Sequence, residues 1–409
     1  MTRAEFEYLS TSEARSMIES HLGDDPLEMA LAGIPAAVCT QVKLLDRCRT
    51  KLPDYYAARC IIPEVSFEQS SSQATGSSRR YSGRQVLDLT CGLGCDAYCL
   101  SRNFDRVVTV ERDELLADTA RYNFGLLGCD NIEVVCADSA EYVRTLTERF
   151  DVVYVDPARR DERRRMFLLQ DCSPDVTAMA PRLAELADRI VIKASPLFDV
   201  EEPERILGAY GRVETETVSV DGECKEVVIE LTPDVDGTCP SRYVTVISRG
   251  EIERYDFTSD ELKAAKNSGC TMASKEDICG GGAVGSALRC PYEYLLLPDA
   301  AFVASRTVQA IAARIEGAAL TSPAGVILSR EPSPWRALRS YKVTECMPFK
   351  PKVLKKALKE RGIAGVTLIK RDFHMSVEEV RKRLGVRDGG DATMVLCGET
   401  VYLVGDCGV

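Results

Sequence analysis

Four acidic residues stand just beyond short apolar runs, and their spacing is the part of this sequence that suits chemistry. Asp88 leads Asp88-Leu-Thr-Cys-Gly-Leu-Gly-Cys-Asp-Ala, Glu111 follows Val107-Val-Thr-Val, Asp138 follows Val134-Val-Cys-Ala, and Asp156 leads Asp156-Pro-Ala-Arg-Arg. Gly92 and Gly94 let a ligand approach the main chain where a Cβ would obstruct it. Thr90 and Asp96 add polar groups to the same loop, and Arg112 adds one beside Glu111.

A carboxylate at Asp88 suits an ammonium group and would repel a pyrophosphate. Glu111 suits a ribose diol and Asp138 an adenine amino group, so the set as a whole fits S-adenosylmethionine (SAM). The glycines with Ala97 also satisfy Gly-x-Gly-x-x-Ala, which keeps a dinucleotide such as NAD open as an alternative. Glu111 serves either cofactor. The discrimination rests on Asp88, Asp138 and Asp156 together.

Asp156-Pro157-Ala158-Arg159 resembles the Asp-Pro-Pro-Tyr motif of methyltransferases that act on the exocyclic nitrogen of a base. In that motif the Asp and the proline-bend carbonyls accept amino hydrogens and the aromatic ring stacks on the base. Here Arg159 replaces the aromatic residue, and a guanidinium plane can stack on a base or bind phosphate. Asp156 is the expected acceptor for the target group, with Pro157, Arg159 and Lys193 beside it. Arg160, Arg163, Arg164 and Arg165 continue the basic cluster, as a phosphate clamp or as a solvated helix start.

These residues need elements that hold them together. Residues 1–65 show helical periodicity broken at Pro26, Pro35 and Pro53, and the Ser-rich residues 66–83 read by composition as a polar linker. From Arg84, strands at 86–89, 106–110, 132–135, 151–155 and 189–193 alternate with helical stretches, which predicts a parallel sheet covered on both faces. The strands at 212–220 and 225–231 meet at Asp221-Gly222, a hairpin signal with no room for a crossover helix. Five parallel strands followed by an antiparallel pair is an α/β, Rossmann-like class I methyltransferase sheet with an antiparallel final hairpin. An N-terminal helical domain and small α+β C-terminal domains complete the expected architecture. A second hairpin is expected at Arg249-Gly250, and the tail alternates helix and strand, with a Ser376/Glu379 capping box and a stop at Gly385.

The chain has 409 residues, 45% hydrophobic and 28% charged, and lacks any apolar run near the roughly 18 to 20 residues that cross a bilayer. Its start, Met1-Thr-Arg-Ala-Glu-Phe-Glu, has no signal-type apolar core, which predicts a cytoplasmic protein. The seventeen cysteines read as reduced, packed thiols. Cys91, Cys95 and Cys99 have helix-face spacing but no fourth ligand nearby, so no metal is expected. The net charge of −11 conceals a basic tail. Arg336 to Asp388 holds fifteen Lys or Arg against six Asp or Glu, +9 net, which leaves −20 elsewhere.

Several stretches together resemble a family of bacterial class I SAM-dependent methyltransferase-like proteins with a ferredoxin-like insert and a C-terminal THUMP-like domain. They are Lys51-Leu-Pro, Glu68-Gln-Ser-Ser-Ser-Gln-Ala-Thr, the Asp88 and Asp156 motifs, and Leu297-Pro-Asp-Ala-Ala. The resemblance implies domains at 1–65 (helical), 66–258 (methyltransferase), 279–330 (ferredoxin-like) and 336–409 (THUMP-like). It implies that residues 68–76 are ordered ahead of the cofactor loop, where other class I enzymes touch the methionine carboxylate, with Ser72 and Thr75 as the candidates and a linker role the alternative for both. THUMP domains deliver RNA to modifying enzymes, so the resemblance and the basic tail together imply an RNA substrate, tRNA or rRNA. Methylation of a small molecule or a protein, and a non-catalytic SAM- or RNA-binding protein, are the alternatives. The oligomeric state is not encoded in any of these signals.

Overall fold

The computed structural model describes residues 1–159, 169–235, 241–267, 271–273, 291–390 and 392–407. The chain forms two compact units. The first comprises residues 1–220, 225–240 and 249–252, and the second 221–224, 241–248 and 253–409.

The first unit is built on β1 (Gly83–Asp88), β2 (Phe104–Glu111), β3 (Ile132–Cys136), β4 (Phe150–Val155), β5 (Ala187–Ala194), β6 (Gly211–Val220) and β7 (Glu223–Pro233). Their order across the sheet is β6-β7-β5-β4-β1-β2-β3. β1 pairs in parallel with β2 and β4, β2 with β3, and β4 with β5, whereas β7 runs antiparallel to β5. This is the expected arrangement. The β6–β7 turn places Asp221 at φ 48° and Gly222 at φ 83°, the left-handed pair that a two-residue hairpin requires. Side chains from β1, β4, β5 and β7 pack with Val176, Met179, Ala180 and Leu183 of the helix Val176–Leu186 into one core.

The Ser-rich segment is not a linker. Glu64–Gln69 and Gln73–Ser77 are helices, and a Cβ at Gly76 would lie 2.6 Å from Cys99 Sγ, so the second helix packs directly on Cys95–Ser101. Composition misled because Ser70, Ser72 and Ser78 hydrogen-bond within turns and Ser71 is buried against Asp96. Two side-chain amides clasp residues 61 and 62, Gln41 from the N-terminal helices and Asn123 from the sheet-bearing part. Gln41 exchanges hydrogen bonds of 2.8 and 2.9 Å with the Ile62 backbone, and Asn123 exchanges 2.8 and 2.9 Å bonds with that of Ile61. All four groups are buried, so each clasp satisfies main-chain groups that have left helix geometry.

In the second unit, Tyr294–Pro298 pairs antiparallel with Leu338–Pro348, which pairs with Thr400–Asp406, so residues 291–330 and 338–404 share one sheet. Residues 279–290 of the expected ferredoxin-like segment lie outside the described residues. Two helices cover one face of that sheet: α1 (Pro351–Glu360) through Leu354 and Leu358, and α2 (Val377–Leu384) through Val380 and Leu384. The Ser376/Glu379 capping box is present, and Gly385 ends α2 at φ 69°. Among the described residues no helix is long and apolar enough to cross a membrane.

Candidate active site

The glycine loop is held from behind by Asp88. Its side chain is fully buried. Oδ1 accepts from the Thr90 backbone N–H (3.0 Å) and hydroxyl (3.3 Å), and Oδ2 accepts from the Thr109 hydroxyl of β2 (2.7 Å). Burial pushes this carboxyl up to about 7. Asp88 therefore shapes the loop and has no surface of its own to offer a ligand. Thr90 passes the constraint on, because its hydroxyl accepts from the Asp156 N–H at 2.7 Å and so ties the end of β1 to that of β4.

Glu111 is half-buried at the end of β2 and accepts from Gly92 N–H (2.9 Å) and Asp113 N–H (3.0 Å). Gly92 sits at φ 54° with nothing within 4 Å of where a Cβ would project, so the loop opens onto free space there. Gly94, at φ 87°, is enclosed: a Cβ would lie 2.5 Å from Phe124 Cζ. Tyr55 donates to the intervening Leu93 carbonyl at 3.3 Å. One glycine faces a ligand space and the other a packed ring.

At the ends of β4 and β5, Lys193 Nζ meets Asp156 Oδ2 at 2.5 Å and donates to Ser71 Oγ at 2.8 Å. Ser71 in turn donates to Asp96 Oδ2 at 2.5 Å. Asp96 Oδ1 accepts from Arg79 Nη2 (3.1 Å), which also donates to the Tyr154 hydroxyl (2.9 Å), while Arg79 Nη1 donates to Glu226 Oε1 (2.6 Å). The Arg79, Asp96 and Glu226 side chains are 4%, 10% and 2% exposed, against 14% for Lys193 and 31% for Asp156. Only the Asp156 end of this chain of charges reaches the surface.

Burial alone would lower the Lys193 pKa, but Asp156, Asp96 and Glu226 hold it above its ordinary value, so the ammonium persists at neutral pH. Burial likewise opposes ionisation of Asp96, yet Arg79 and then Lys193 keep it below the ordinary carboxylate range. Burial raises Asp156, opposed by the adjoining ammonium. Lys193 is thus a fixed cation and donor, which leaves Asp156 as the accepting group of the pair.

Not every expected site residue has a free functional group. Ser72 caps the helix Gln73–Ser77 by accepting from Thr75 N–H (3.2 Å), and the Thr75 hydroxyl returns to the Ser72 carbonyl (2.9 Å). Asp138 is exposed and caps the helix Ser139–Thr145 through Oδ1, which accepts at 2.9 and 3.1 Å; Oδ2 has no partner among the described residues. Arg112 is exposed and Pro157 buried. Ala158–Arg159 pairs through its backbone with Cys172–Ser173. The Arg159 guanidinium and residues 160–168, which include the arginine cluster, lie outside what is described. Asp96 belongs to the buried charge network. Ser71, Arg79, Tyr154 and Glu226 were not anticipated, although Glu226, just ahead of the apolar Val227-Val-Ile, was a visible anomaly. Among the described residues no group of His, Cys, Asp or Glu could hold a metal.

In the second unit, Lys352, Lys355, Lys356 and Lys359 lie at i, i+3, i+4 and i+7 on α1, all exposed, opposite the buried Leu354 and Leu358. Lys382 and Arg383 are exposed on α2. Much of the tail's positive charge is therefore displayed on two helices of one layer.

Comparison with known proteins agrees with this geometry. Residues 71–170 match the family described as conserved hypothetical protein 95, and residues 338–404 match the THUMP domain-like family. An uncharacterized S-adenosylmethionine-dependent methyltransferase of Mycobacterium tuberculosis is 26% identical over 347 residues, 84% of this chain and 86% of that protein. A ribosomal RNA small subunit methyltransferase J of Francisella philomiragia is 40% identical over 80 residues, 18% of this chain and 33% of that protein. The structure "Crystal structure of putative methyltransferase from Porphyromonas gingivalis W83" superposes with a TM-score of 0.79 at 25% identity, covering 97% of this chain and 98% of that one. The chain is thus similar over most of its length to proteins described as methyltransferases, and its residues 338–404 match the THUMP domain-like family.

Proposed function

We propose that the protein transfers a methyl group from SAM to RNA, a tRNA or rRNA base, brought to Asp156 by the basic helices of the THUMP-like domain. The observation that carries the reading is the pairing of an open glycine loop braced by Asp88 and Glu111 with the Asp156–Lys193 pair at the next two strand ends. Ligands of such sheets gather beyond the carboxyl ends of the strands, where both features lie.

The residues present fit SAM. Gly92 leaves room at the loop, Glu111 keeps lone-pair capacity for a diol, and Asp138 Oδ2 is available to an amino group. Bound there, SAM supplies a methyl group already activated on a sulfonium. The protein's task is then alignment of nucleophile, methyl carbon and sulfur. Asp156 accepts a hydrogen from the target group, Lys193 stays protonated and fixes the Asp156 carboxylate, and Pro157 sets the bend that follows. The exposed lysines of α1 match the sequence-independent phosphate contacts by which RNA is held. Relatives such as the Francisella protein support RNA as the substrate class.

Two measurements test the reading. Calorimetry with SAM, S-adenosylhomocysteine and NAD checks the cofactor, and absence of SAM binding overturns the proposal. Labelled methyl should pass to total RNA from a strain lacking the protein, and nucleoside analysis should place it on a single base. SAM and RNA binding without transfer would instead favour a non-catalytic protein.

A further inference from the structure

We infer that Arg79 is a positioning residue for Asp156, acting at a distance through Asp96, Ser71 and Lys193. This rests on reading Asp156 as the group that meets the substrate. Among the described residues Arg79 has no hydrogen bond to Gly92, Gly94 or Asp156. Its guanidinium forks between Glu226 on β7 and Asp96 on the helix Cys95–Ser101, and lies over the Tyr154 ring at 5.2 Å. An arginine buried between two carboxylates is a poor way to gain stability, because desolvating three charges offsets much of their attraction, and a well-packed apolar set of similar volume often does as well. What the arrangement supplies is a fixed partition of charge.

The polarity of the hydrogen bonds shows how the partition works. Lys193 can only donate, and it does so to Asp156 and Ser71. Ser71 accepts that bond and directs its single hydrogen to Asp96. Three carboxylates, Asp156, Asp96 and Glu226, thus share two cations. Arg79 occupies Asp96 and Glu226, which leaves Lys193 to Asp156. Without Arg79, two buried carboxylates would compete with Asp156 for the Lys193 ammonium, since the neighbouring Lys51 ammonium is held by the Phe67 carbonyl. Lys193 would be drawn inward, and Asp156 would lose the partner that fixes its direction and favours its ionised form. Arg79 therefore keeps Lys193 on Asp156.

The test reads Asp156 directly, by carbon NMR titration of protein labelled at the aspartate carboxyls, with the Asp156 resonance assigned from Asp156→Asn. Arg79→Met should raise the Asp156 midpoint by about one pH unit or more. Arg79→Gln should do the same while keeping donors for Asp96, a safeguard if the apolar variant fails to fold. Arg79→Lys keeps the charge and should stay within about half a pH unit of the parent protein. The decisive variant is R79M/D96N/E226Q, in which Lys193 again has only Asp156 to pair with; its midpoint should return towards the parent value. A purely structural role for Arg79 predicts no such recovery. An unmoved midpoint in both charge-removing single variants, or a change as large in the triple variant, overturns the inference. In methyl transfer, the acidic limb of the kcat–pH profile should move up in Arg79→Gln by the same about one pH unit, with the SAM Kd within about threefold of the parent. If the parent protein methylates no RNA, the proposed function fails while the titration still decides the role of Arg79.

Discussion

Gly92 and Gly94 stand two residues apart at similar positive φ, 54° and 87°, yet alanine should affect them in opposite ways. For an L-residue the left-handed conformation costs about 1–2 kcal/mol, and reduced freedom of the unfolded chain returns about 0.4–1 kcal/mol. Both variants share that small net loss. Gly94→Ala adds a methyl group 2.5 Å from Phe124 Cζ and 2.9 Å from Cε1. Phe124 is buried, on a helix anchored by the Asn123–Ile61 clasp, so the ring has little freedom to yield, and overpacking of this kind costs about 1–3 kcal/mol more. At Gly92 the methyl meets no protein atom within 4 Å and projects into the space assigned to SAM. Gly92→Ala should therefore keep its unfolding free energy within about 1.6 kcal/mol of the parent but bind SAM at least tenfold more weakly, about 1.4 kcal/mol. Urea unfolding followed by far-ultraviolet circular dichroism measures the first quantity and calorimetry the second. The single tryptophan, Trp335, lies in the second unit, so its fluorescence serves as a control that should not move in either variant. Equal stability losses at the two glycines, or parent-like SAM affinity in Gly92→Ala, would refute the assignment of one glycine to packing and the other to the ligand.

The raised Asp88 carboxyl has a stability consequence of definite sign. Its folded value of about 7 exceeds the ordinary 3.8, so its contribution is complete below pH 3.8 and is lost as pH rises towards 7. The stability of Asp88→Asn relative to the parent should therefore grow by about 3 kcal/mol between pH 5 and pH 8 in urea titrations; a pH-independent difference would contradict this. Asp156→Asn should lower methyl transfer about a hundredfold with SAM affinity nearly unchanged in calorimetry, because the Thr90 bond to its backbone survives. Charge reversal at Lys352, Lys355 and Lys356 together should weaken RNA binding and flatten its dependence on log salt by about 0.7–0.9 for each phosphate no longer engaged, as read in a filter assay. Cys136 is exposed whereas Cys91, Cys95 and Cys99 are buried, so mapped labelling by a thiol reagent should reach the first and spare the other three until urea unfolds the chain.

The sheet was readable because its central strands β1, β4 and β5 are largely buried and so appear as apolar runs, and because Asp221-Gly222 and Arg249-Gly250 leave few alternatives to a tight turn. Both turns show the left-handed pair, with Arg249 at φ 51° and Gly250 at φ 81°. Residues 64–77 were less readable. A serine that caps a helix and one that hangs in water look alike in composition, and what separates them is a tertiary contact, Gly76 against Cys99. The clasps at Ile61 and Ile62 are equally silent in sequence, since each joins an amide to a backbone 21 or 62 residues away.

The site divides along a similar line. Acids at strand ends are easy to find, but what each one does depends on which of its oxygens the fold has already used. Asp88 has both committed, to Thr90 and Thr109, so it acts by shaping the loop. Asp138 has given one to capping a helix. Glu111 uses both on main-chain N–H groups yet stays half-exposed, and a carboxylate oxygen with one bond can accept another. Asp156 has Oδ2 on Lys193 and 31% of its side chain open, so Oδ1 can accept from a substrate while the ammonium holds the carboxylate in place. Arg79 was the residue hardest to see, because a buried arginine is defined entirely by its partners. Those partners come from β4, from the helix after the glycine loop and from β7, whose antiparallel entry beside β5 brings Glu226 to the end of the strand that carries Lys193. The final hairpin that marks this sheet in sequence is therefore also what delivers the last carboxylate of the network that sets Asp156.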